Sequence, residues 1–453
     1  MIYTIRNSFL KSRPTGLMSY VRKSTSGSSA MDYNRFLNPF SAKREPSLIR
    51  ELTKIYANSP PGTIFLAGGL PNAGTFPFAE TNVKLKDGTT FSLSGRSLEA
   101  ALQYQPTQGY PPLVKKLKEF QIKTHNPPNW DNYEMIITAG SQDGLCKTIE
   151  MSLEEEEPIV VQDPIYTGTM AIVKPFRSRL IPIEQDKDGM CPDALRKALQ
   201  NFFKDQDKRS SKGVPKLMYI NPTGANPTGS VLTLERKKEI YKLACEYDLL
   251  ILEDDPYYFL HFQKENPVSF LSLDTEGRVM RYDSFSKVLS SGIRVGFVTG
   301  PKPLVKMLEL HMQVSTLHTS SLTQVIIHNL LESWGPEDLH GHFKSIQTFY
   351  KSKRDIMLDA AKKYLTGLAE WTVPEAGMFL WIKVNDVVDT YDMVMERGAK
   401  KNVLFVPGRA FMTDPSQPCQ YIRASYTVPT PEEIDTGMAR LADLIREEKD
   451  LQK

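Results

Sequence analysis

The sequence predicts an α/β fold: a large, mixed but mostly parallel sheet with helices on both faces, followed by a smaller α+β domain. Three continuous apolar runs alternate with stretches of helical pattern, at residues 158–161, 216–220 and 249–252. A strand that is apolar along its whole length is typical of a sheet covered on both faces. Polar and aromatic residues follow each run, and open α/β sheets bind their ligands at these carboxyl ends of strands.

The pattern changes after about residue 330 and predicts the second domain. A long helical stretch, Phe349 through Leu365, is followed by three short apolar runs, at residues 376–382, 403–408 and 421–425. A helix followed by a group of strands is typical of an α+β arrangement. We therefore expect a large domain at residues 79–330 and a small C-terminal domain at residues 331–453.

Length and composition limit the class of protein. With 453 residues, 40% of them hydrophobic, the chain can bury a large core and form two or more domains. A net charge of +3 gives no indication of a nucleic-acid partner, and no apolar run approaches the roughly 18 residues that span a bilayer. The four cysteines form no CxxC pair and the seven histidines no HExxH motif, so we expect reduced thiols and no metal site.

Residues 1–30 differ in composition from the rest of the chain. They contain seven serines, no acidic residue, and five basic residues, Arg6, Lys11, Arg13, Arg22 and Lys23. This composition is typical of a mitochondrial transit peptide, although a disordered tail would look similar. Met31 follows directly, and initiation there would give a leaderless, cytosolic form.

Two glycine-containing segments predict places where a ligand approaches the backbone. Gly68 and Gly69 precede Leu70-Pro71 and mark a tight turn. Further along, the predicted strand at 135–139 breaks at Gly140-Ser141-Gln142, just before another helical pattern. A helix that begins there would point its free amide groups at an anion. Between the two segments, the stretch Gln103 to Tyr110 is predicted to open a helix.

The segment from Asp283 to Gly296 combines groups that can hold a phosphate with a reactive amine. Ser284, Ser286 and Lys287 lie within four positions, and Arg294 follows seven residues after the lysine. Lysine condenses with aldehydes to form a Schiff base. Pyridoxal phosphate carries both an aldehyde and a phosphate, so this segment could bind both. A serine-rich surface turn would look the same if it stood alone.

Five residues elsewhere supply what pyridoxal phosphate chemistry also needs. Asp254 could keep the pyridine nitrogen protonated, Asn226 and Tyr257 could bind the phenolic oxygen, and Tyr166 could stack on the ring. Arg423 could hold a substrate α-carboxylate. Each has an ordinary explanation by itself, as a helix cap, a turn residue, a core aromatic or a surface ion pair. Chance explains their joint occurrence poorly.

Several motifs resemble those of the fold-type I, class I aminotransferases. They are Asn226-Pro227-Thr228-Gly229, Asp254-Asp255-Pro256-Tyr257 and Ser284-Phe285-Ser286-Lys287 with Arg294. From about Met31 to the C-terminus the chain is similar in particular to kynurenine/2-aminoadipate aminotransferases. The segments that carry this closer similarity are residues 66–72, 101–104, 140–142, 254–260 and 376–383.

The resemblance implies a role for each of the residues above. Lys287 would be the Schiff-base lysine, Asp254 would bind the pyridine nitrogen, and Arg423 would bind the substrate α-carboxylate. The phosphate would be held by Ser141, Gln142, Ser284, Ser286 and Arg294, with Tyr104 reaching it across a dimer interface. The phenolic oxygen and the ring would contact Asn226, Tyr257 and Tyr166, and the substrate would contact Asn226, Gly69, Leu70 and Tyr166.

One local departure concerns a doubled motif. Asn221-Pro222-Thr223-Gly224 lies just before Asn226-Pro227-Thr228-Gly229, so the register of the cofactor-binding asparagine is uncertain by five residues. We choose Asn226, because the helix-forming run Leu-Glu-Arg-Lys-Lys follows the second copy.

The resemblance also implies an activity and an assembly. We expect a ping-pong transfer of the amino group of 2-aminoadipate, kynurenine or other large amino acids to 2-oxoglutarate, in lysine and tryptophan catabolism. The enzyme would be a homodimer in the mitochondrial matrix, with residues 31–78 packing against the small domain and the dimer partner. A pyridoxal phosphate carbon–sulfur β-lyase is an alternative that the sequence leaves open. A non-catalytic, aminotransferase-like sensor would need a DNA-binding domain, for which residues 1–30 are too few.

Overall fold

The computed structural model describes residues 31–57, 59–208 and 212–451 of the chain. The predicted transit peptide, residues 1–30, lies outside the described residues. The first described segment contains helix α1 (Leu48–Ala57), and a hairpin of strands β1 (Glu80–Lys84) and β2 (Thr90–Ser94) follows it.

An eight-stranded sheet forms the centre of the fold. Its strands are β3 (Tyr133–Thr138), β4 (Ile159–Asp163), β5 (Leu180–Asp186), β6 (Gly189–Met190), β7 (Leu217–Ile220), β8 (Leu250–Asp254), β9 (Val279–Ser284) and β10 (Gly296–Pro301). Their spatial order is β3-β10-β9-β8-β7-β4-β5-β6. Neighbours from β5 to β9 in this order pair in parallel, whereas β10 runs antiparallel to both β3 and β9, and β6 antiparallel to β5. The prediction of a mixed but mostly parallel sheet is confirmed.

Helices precede, connect and follow these strands. They are α2 (Gly95–Leu102), α3 (Pro111–His125), α4 (Ser141–Ser152), α5 (Thr167–Val173), α6 (Pro192–Phe202), α7 (Leu234–Glu246), α8 (Phe270–Leu273), α9 (Lys302–Val314) and α10 (Ser321–Ser333).

Successive residues of β10 show that helices cover both faces of the sheet. Phe297 belongs to a buried cluster with Leu113 and Leu117 of α3. The next residue, Val298, lies against Gly144 of α4, so closely that a side chain at Gly144 would collide with it. Because neighbouring residues of a strand point to opposite faces, α3 and α4 lie on opposite sides of the sheet. The apolar strands predicted from the sequence are therefore buried from both sides.

A second, four-stranded antiparallel sheet follows in the chain, as the predicted α+β region requires. Its strands are β11 (Ala369–Trp371), β12 (Phe379–Val384), β13 (Val406–Pro407) and β14 (Tyr421–Ser425), in the order β11-β12-β14-β13. Helices α11 (Pro336–Leu365) and α12 (Pro431–Leu451) pack on it. Met357, Leu380, Ile422 and Leu441 are among the residues of its own buried core.

Three boundaries differ from those predicted. Helix α11 begins at Pro336 rather than near Phe349. Leu339, Phe343 and Ile346 recur at helical spacing before Phe349 and pack in a buried cluster, a signal that was missed among many polar residues. The helix predicted to open between Gln103 and Tyr110 begins at Pro111, where proline fits the first turn. The run at 403–408 contributes only the two paired residues of β13.

The topology brings four chain segments to one edge of the large sheet. Parallel strands β4, β7 and β8 end there, at Asp163, Ile220 and Asp254, and β9 ends at Ser284, just before the predicted lysine segment. Ligands of open α/β sheets bind at this edge.

The described residues contain neither a candidate membrane span nor a candidate metal cluster. No helix in residues 31–57, 59–208 and 212–451 is long and apolar enough to cross a membrane. The same residues contain no cluster of three or more His, Cys, Asp or Glu side chains that could hold a metal ion.

Candidate active site

Asp254 is a buried carboxylate at the end of β8. The Tyr219 hydroxyl donates a hydrogen bond of 2.9 Å to its Oδ2, and the Asn221 side-chain amide donates one of 2.7 Å to its backbone carbonyl. Burial and, to a smaller extent, the neighbouring charges of Asp255 and Asp283 raise the pKa of Asp254 to about 7. The Tyr219 hydrogen bond acts in the opposite direction, because it stabilises the charged form.

The doubled Asn-Pro-Thr-Gly motif places its two asparagines in different environments. Asn221 is a support: its Oδ1 accepts a hydrogen bond of 2.8 Å from the backbone amide of Asn226. Asn226 turns its own Oδ1 to the guanidinium of Arg423, at 2.8 Å, and lies beside the Tyr257 hydroxyl. Of the two, Asn226 therefore has the side chain that lies among the predicted site residues.

Arg423 of β14 brings the smaller sheet into the same site. Its guanidinium carbon lies 4.1 Å from the ring centre of Phe379 and 4.8 Å from that of Phe411. These aromatic contacts fix the plane of the guanidinium. Its Nη1 donates to Asn226, but its buried Nε has no hydrogen-bond partner. The arginine is thus held in place by Asn226 and two aromatic rings, and a guanidinium fixed in this way can bind a carboxylate.

Tyr166 and Tyr257 lie close to both Asp254 and Arg423. Burial raises the pKa of each tyrosine, with a further rise from Asp254 and an opposite effect from Arg423. The Tyr166 ring lies over Gly168, where a Cβ atom would come within 2.4 Å of it. Gly168 therefore leaves the space that the Tyr166 ring occupies. Because the pKa values of Tyr166 and Tyr257 are raised, both hydroxyls stay protonated at neutral pH.

Arg294 connects the predicted phosphate-binding residues. Its Nη1 donates to the Ser286 hydroxyl at 3.2 Å, and its Nη2 donates to the carbonyl of Ala139 at 2.9 Å, just before α4 begins at Ser141. The Ser284 hydroxyl accepts from the backbone amide of Ser286. An arginine, hydroxyl groups and the free amides of a helix N-terminus together form an anion site.

Gly140 has to be glycine for this contact to form. Its φ of 94° is unfavourable for other residues, and a Cβ there would lie 2.5 Å from Arg294 Nη2. Gln142, the second residue of α4, donates to the carbonyl of Gly168 at 3.2 Å. This hydrogen bond connects the start of α4 to the segment that carries Tyr166.

Lys287 lies half-buried in the turn after β9. Burial lowers the pKa of its amine, and the positive charge of Arg294 lowers it further. Both effects disfavour the ammonium form, so the neutral amine becomes available at lower pH than in solution. A neutral amine is the form that attacks aldehydes and accepts protons.

Three predicted site residues lie elsewhere in the single chain. Tyr104 and Leu70 are exposed, and Gly69 has open space around it. The Tyr104 ring contacts His318, and Gln103 hydrogen-bonds the carbonyl of Pro71. No contact shown for the described residues joins Tyr104, Gly69 or Leu70 to Lys287 or Asp254.

A buried ion cluster behind Asp254 was missed from the sequence. Arg281 of β9 is fully buried, within 2.9–3.1 Å of carboxylate oxygens of Glu253, Asp255 and Asp283. The Glu253-Asp254-Asp255 run was the available signal, because three acids at a buried strand end require a cation nearby. Tyr219 was also missed, since a tyrosine in an apolar strand looks like a core residue.

These donors fit pyridoxal phosphate. An anion site, a half-buried amine, a buried carboxylate and an arginine fixed by two aromatic rings lie at the edge of the sheet where such folds bind ligands. The fold and the site together define a pyridoxal-phosphate-dependent enzyme of fold type I.

Comparisons with known proteins identify the family. The model of the family "Aminotransferase class I and II" matches residues 72–441, and the chain belongs to this family. A mitochondrial kynurenine/alpha-aminoadipate aminotransferase of Bos taurus is 45% identical over 423 residues, which cover 92% of this chain and 100% of the relative.

Two solved structures are similar over nearly the whole chain. Aminotransferase Aro8 of Candida albicans is 27% identical, with a TM-score of 0.82, and the match covers 93% of this chain and 99% of that one. A Pyrococcus horikoshii kynurenine aminotransferase, in complex with PMP, KYN as substrates and KYA as products, is 31% identical, with a TM-score of 0.72. That match covers 92% of this chain and 98% of the other.

We predict that Tyr219→Phe moves the acidic limb of kcat/KM to higher pH by about one unit, the value of one hydrogen bond to a charged group. The variant loses the hydrogen bond that stabilises ionised Asp254, so the pKa of Asp254 rises. Activity that needs the ionised form is present above this pKa and is lost as the pH falls through it. The measurement is the pH dependence of kcat/KM.

Tyr282→Phe is the matched control. Tyr282 lies opposite Asp254 in the register of β8 and β9 and is also buried, but its hydroxyl makes no hydrogen bond to Asp254. The same shift in both variants, or in neither, would show that the Tyr219 hydroxyl does not control Asp254.

Proposed function

We propose that the chain is an aminotransferase that moves the amino group of 2-aminoadipate, kynurenine or other large amino acids to 2-oxoglutarate by a ping-pong mechanism. The relative from Bos taurus carries both amino acids in its name, and the match covers all of that relative. The observation that carries the proposal is Arg423, fixed by two aromatic rings and Asn226, close to Tyr166 and Tyr257.

Arg423 would bind the α-carboxylate that amino donors and 2-oxo acid acceptors share. A guanidinium binds a carboxylate through two parallel hydrogen bonds, so the α-carbon takes a fixed position. Asn226 holds one end of the guanidinium, and Phe379 and Phe411 exclude water from its faces. The same arginine can therefore orient both substrates of a ping-pong reaction.

Lys287 would act as the base of the reaction. Pyridoxal phosphate, when bound, supplies the electron sink that makes the α-proton of an amino acid acidic. The Lys287 amine, with its pKa lowered by burial and by Arg294, takes that proton from the α-carbon. Asp254 would keep the pyridine nitrogen protonated, and Tyr219 and Asn221 hold the segment that carries it. Ser141, Ser284, Ser286 and Arg294 would bind the phosphate.

Amino-donor profiling of the purified protein, with 2-oxoglutarate as acceptor, tests the proposed substrates. We expect kynurenine and 2-aminoadipate to be among the best donors, with glutamate formed in equal amount to the donor consumed. Pyruvate and ammonia released from a cysteine conjugate without formation of glutamate would instead indicate the β-lyase.

Arg423→Ala tests the substrate-carboxylate role within the same assay. Losing one partner of a buried, hydrogen-bonded charge pair costs about 2–5 kcal/mol, so kcat/KM should fall roughly 30-fold or more for every donor and acceptor. Arg446→Ala is a control, because Arg446 is an exposed arginine of α12 that is paired with Asp443. A variant impaired with one substrate only would assign Arg423 to side-chain recognition.

We also propose a homodimer in which residues 31–78 and Tyr104 contact the partner. Large apolar side chains of this segment are exposed in the single chain, among them Leu48, Ile49, Ile64 and Leu66, which is 91% exposed. Exposed apolar patches of this kind mark interaction surfaces. Light scattering should give about twice 51.3 kDa, and a monomer that is fully active at nanomolar concentration would contradict the proposal. We also propose that the large domain comprises residues 79–330 and the small domain residues 331–453.

Localisation to the mitochondrial matrix is a separate proposal. It is supported by the basic, acid-free composition of residues 1–30 and by the relative from Bos taurus, whose name includes "mitochondrial". A fluorescent protein fused behind residues 1–30 should enter mitochondria, whereas a diffuse cytosolic signal would exclude the leader function.

A further inference from the structure

The loop between β13 and β14 carries one of the two aromatic rings that hold Arg423. Phe411 lies in this loop, is 1% exposed, and has its ring centre 4.8 Å from the guanidinium carbon of Arg423. Trp381 of β12 contacts the same ring almost at right angles, with ring centres 5.6 Å apart. An aromatic ring packed against a guanidinium limits the orientations that the guanidinium can take. The position of Phe411 therefore affects how firmly Arg423 is held.

The exposed part of this loop gives Phe411 little support. Residues 414–418 are exposed, and the side chain of Asp414 accepts its hydrogen bonds from Ser416 and Gln417, within the same loop. Exposed loops are generally more mobile than the elements they connect. A loop that keeps a buried ring beside Arg423 therefore needs an anchor in a more rigid part of the protein.

Asp163, the last residue of β4, supplies this anchor. Its Oδ1 accepts a hydrogen bond of 3.1 Å from the backbone amide of Thr413, and its Oδ2 accepts one of 3.0 Å from the Thr413 hydroxyl. Nearby, the backbone amide of Ile165 donates to the carbonyl of Phe411 at 2.7 Å. Hydrogen bonds to both oxygens of one carboxylate fix the orientation of the donor residue as well as its distance. The loop is thus joined to the end of a strand of the large sheet.

Arg423 is therefore connected to the large sheet at two points. One connection is direct, the hydrogen bond of 2.8 Å to Asn226. The other runs from Asp163 through Thr413 to Phe411, and its hydrogen bonds join residues 250 positions apart in the chain. Asp163 is thus the link between the end of β4 and the loop that holds Arg423.

We propose that Asp163 is a positioning residue for substrate binding: by holding Thr413, it keeps Phe411 against Arg423 and the guanidinium in the orientation that binds a carboxylate. This inference rests on the carboxylate-binding role proposed for Arg423 and deepens it. Asp163 acts through Thr413 and Phe411 and not on the substrate itself. A loosely held guanidinium binds a carboxylate more weakly in the ground state and in the transition state alike, so the loss falls on KM and leaves kcat nearly unchanged.

Isothermal titration calorimetry of the cofactor-loaded protein with 3-phenylpropanoate tests the inference. This anion has a carboxylate and a large apolar body but neither an amino nor an oxo group, so it binds without reacting. We expect a Kd of about 1 mM or lower for the wild-type protein, and a loss of binding in Arg423→Ala. Asp163→Ala should raise the Kd about tenfold, the factor that corresponds to one lost hydrogen bond to a charged group. The KM values for amino donors should rise with it, while the content of bound cofactor stays at the wild-type level.

Two comparisons separate positioning from a general loss of structure. Asp414→Ala is the matched control and should bind like the wild type, because Asp414 lies in the same loop but accepts its hydrogen bonds within it. Thr413→Val loses the hydroxyl donor but keeps the backbone amide, and should raise the Kd about threefold. Thr413→Ser keeps both donors and should bind like the wild type. The Thr413 pair decides the question if Asp163→Ala does not fold.

The outcomes distinguish this inference from the proposed function. Wild-type Kd values in Asp163→Ala and Thr413→Val, with binding lost in Arg423→Ala, would overturn the role of Asp163 and leave that of Arg423 in place. A fall in kcat with unchanged KM, or an equal loss of binding in Asp414→Ala, would also overturn the role of Asp163. Unimpaired binding by Arg423→Ala, or no binding by the wild type, would overturn the carboxylate-binding role of Arg423 and this inference with it.

Discussion

The charge of Asp254 has to be kept inside the protein, and much of the structure around the site depends on this constraint. Transfer of one carboxylate from water to the protein interior costs roughly several kcal/mol unless other groups compensate its charge. Asp254 has acidic neighbours on both sides, Glu253 and Asp255, and a third acid, Asp283, lies on the adjacent strand. One fully buried arginine, Arg281, compensates this group by pairing with all three neighbours.

The parallel register of β8 and β9 makes this compensation possible. It places Arg281 directly opposite Glu253 and leaves Asp254 opposite Tyr282. Arg281 therefore pairs with the flanking acids. The Asp254 side chain instead accepts a hydrogen bond from Tyr219 and lies at the edge of the sheet where a ligand would bind. A one-residue shift would exchange the faces of every side chain on the strand and destroy both sets of contacts. The smaller sheet then completes the site through Arg423, whose contact with Asn226 joins residues 197 positions apart.

Much of this arrangement could be predicted from the sequence, for identifiable reasons. Apolar runs such as that before Asp254 predicted the buried strands, because burial on both faces leaves a continuous apolar run without alternation. Lys287 and Arg294 were recognisable because a reactive amine and phosphate-binding groups occur close together in the sequence. The Gly140 turn was recognisable because a glycine between a strand and a helix is typical of an anion site. Arg281, Tyr219 and the support role of Asn221 were not recognised, because their meaning depends on partners brought together by strand pairing. The start of α11 was misplaced because single apolar residues at helical spacing, Leu339, Phe343 and Ile346, stand among many polar ones and look like a loop.

Comparison of Lys287→Ala with Asp254→Ala tests the central claim most directly, because the two residues have different tasks on one cofactor. The measurement is borohydride fixation of the cofactor to the protein, together with turnover. We expect Lys287→Ala to bind the cofactor through its phosphate contacts, to lose covalent fixation and to lose nearly all turnover. Asp254→Ala should keep covalent fixation, since Lys287 is intact, but lose most turnover. Covalent fixation in Lys287→Ala, or wild-type turnover in Asp254→Ala, would contradict the account.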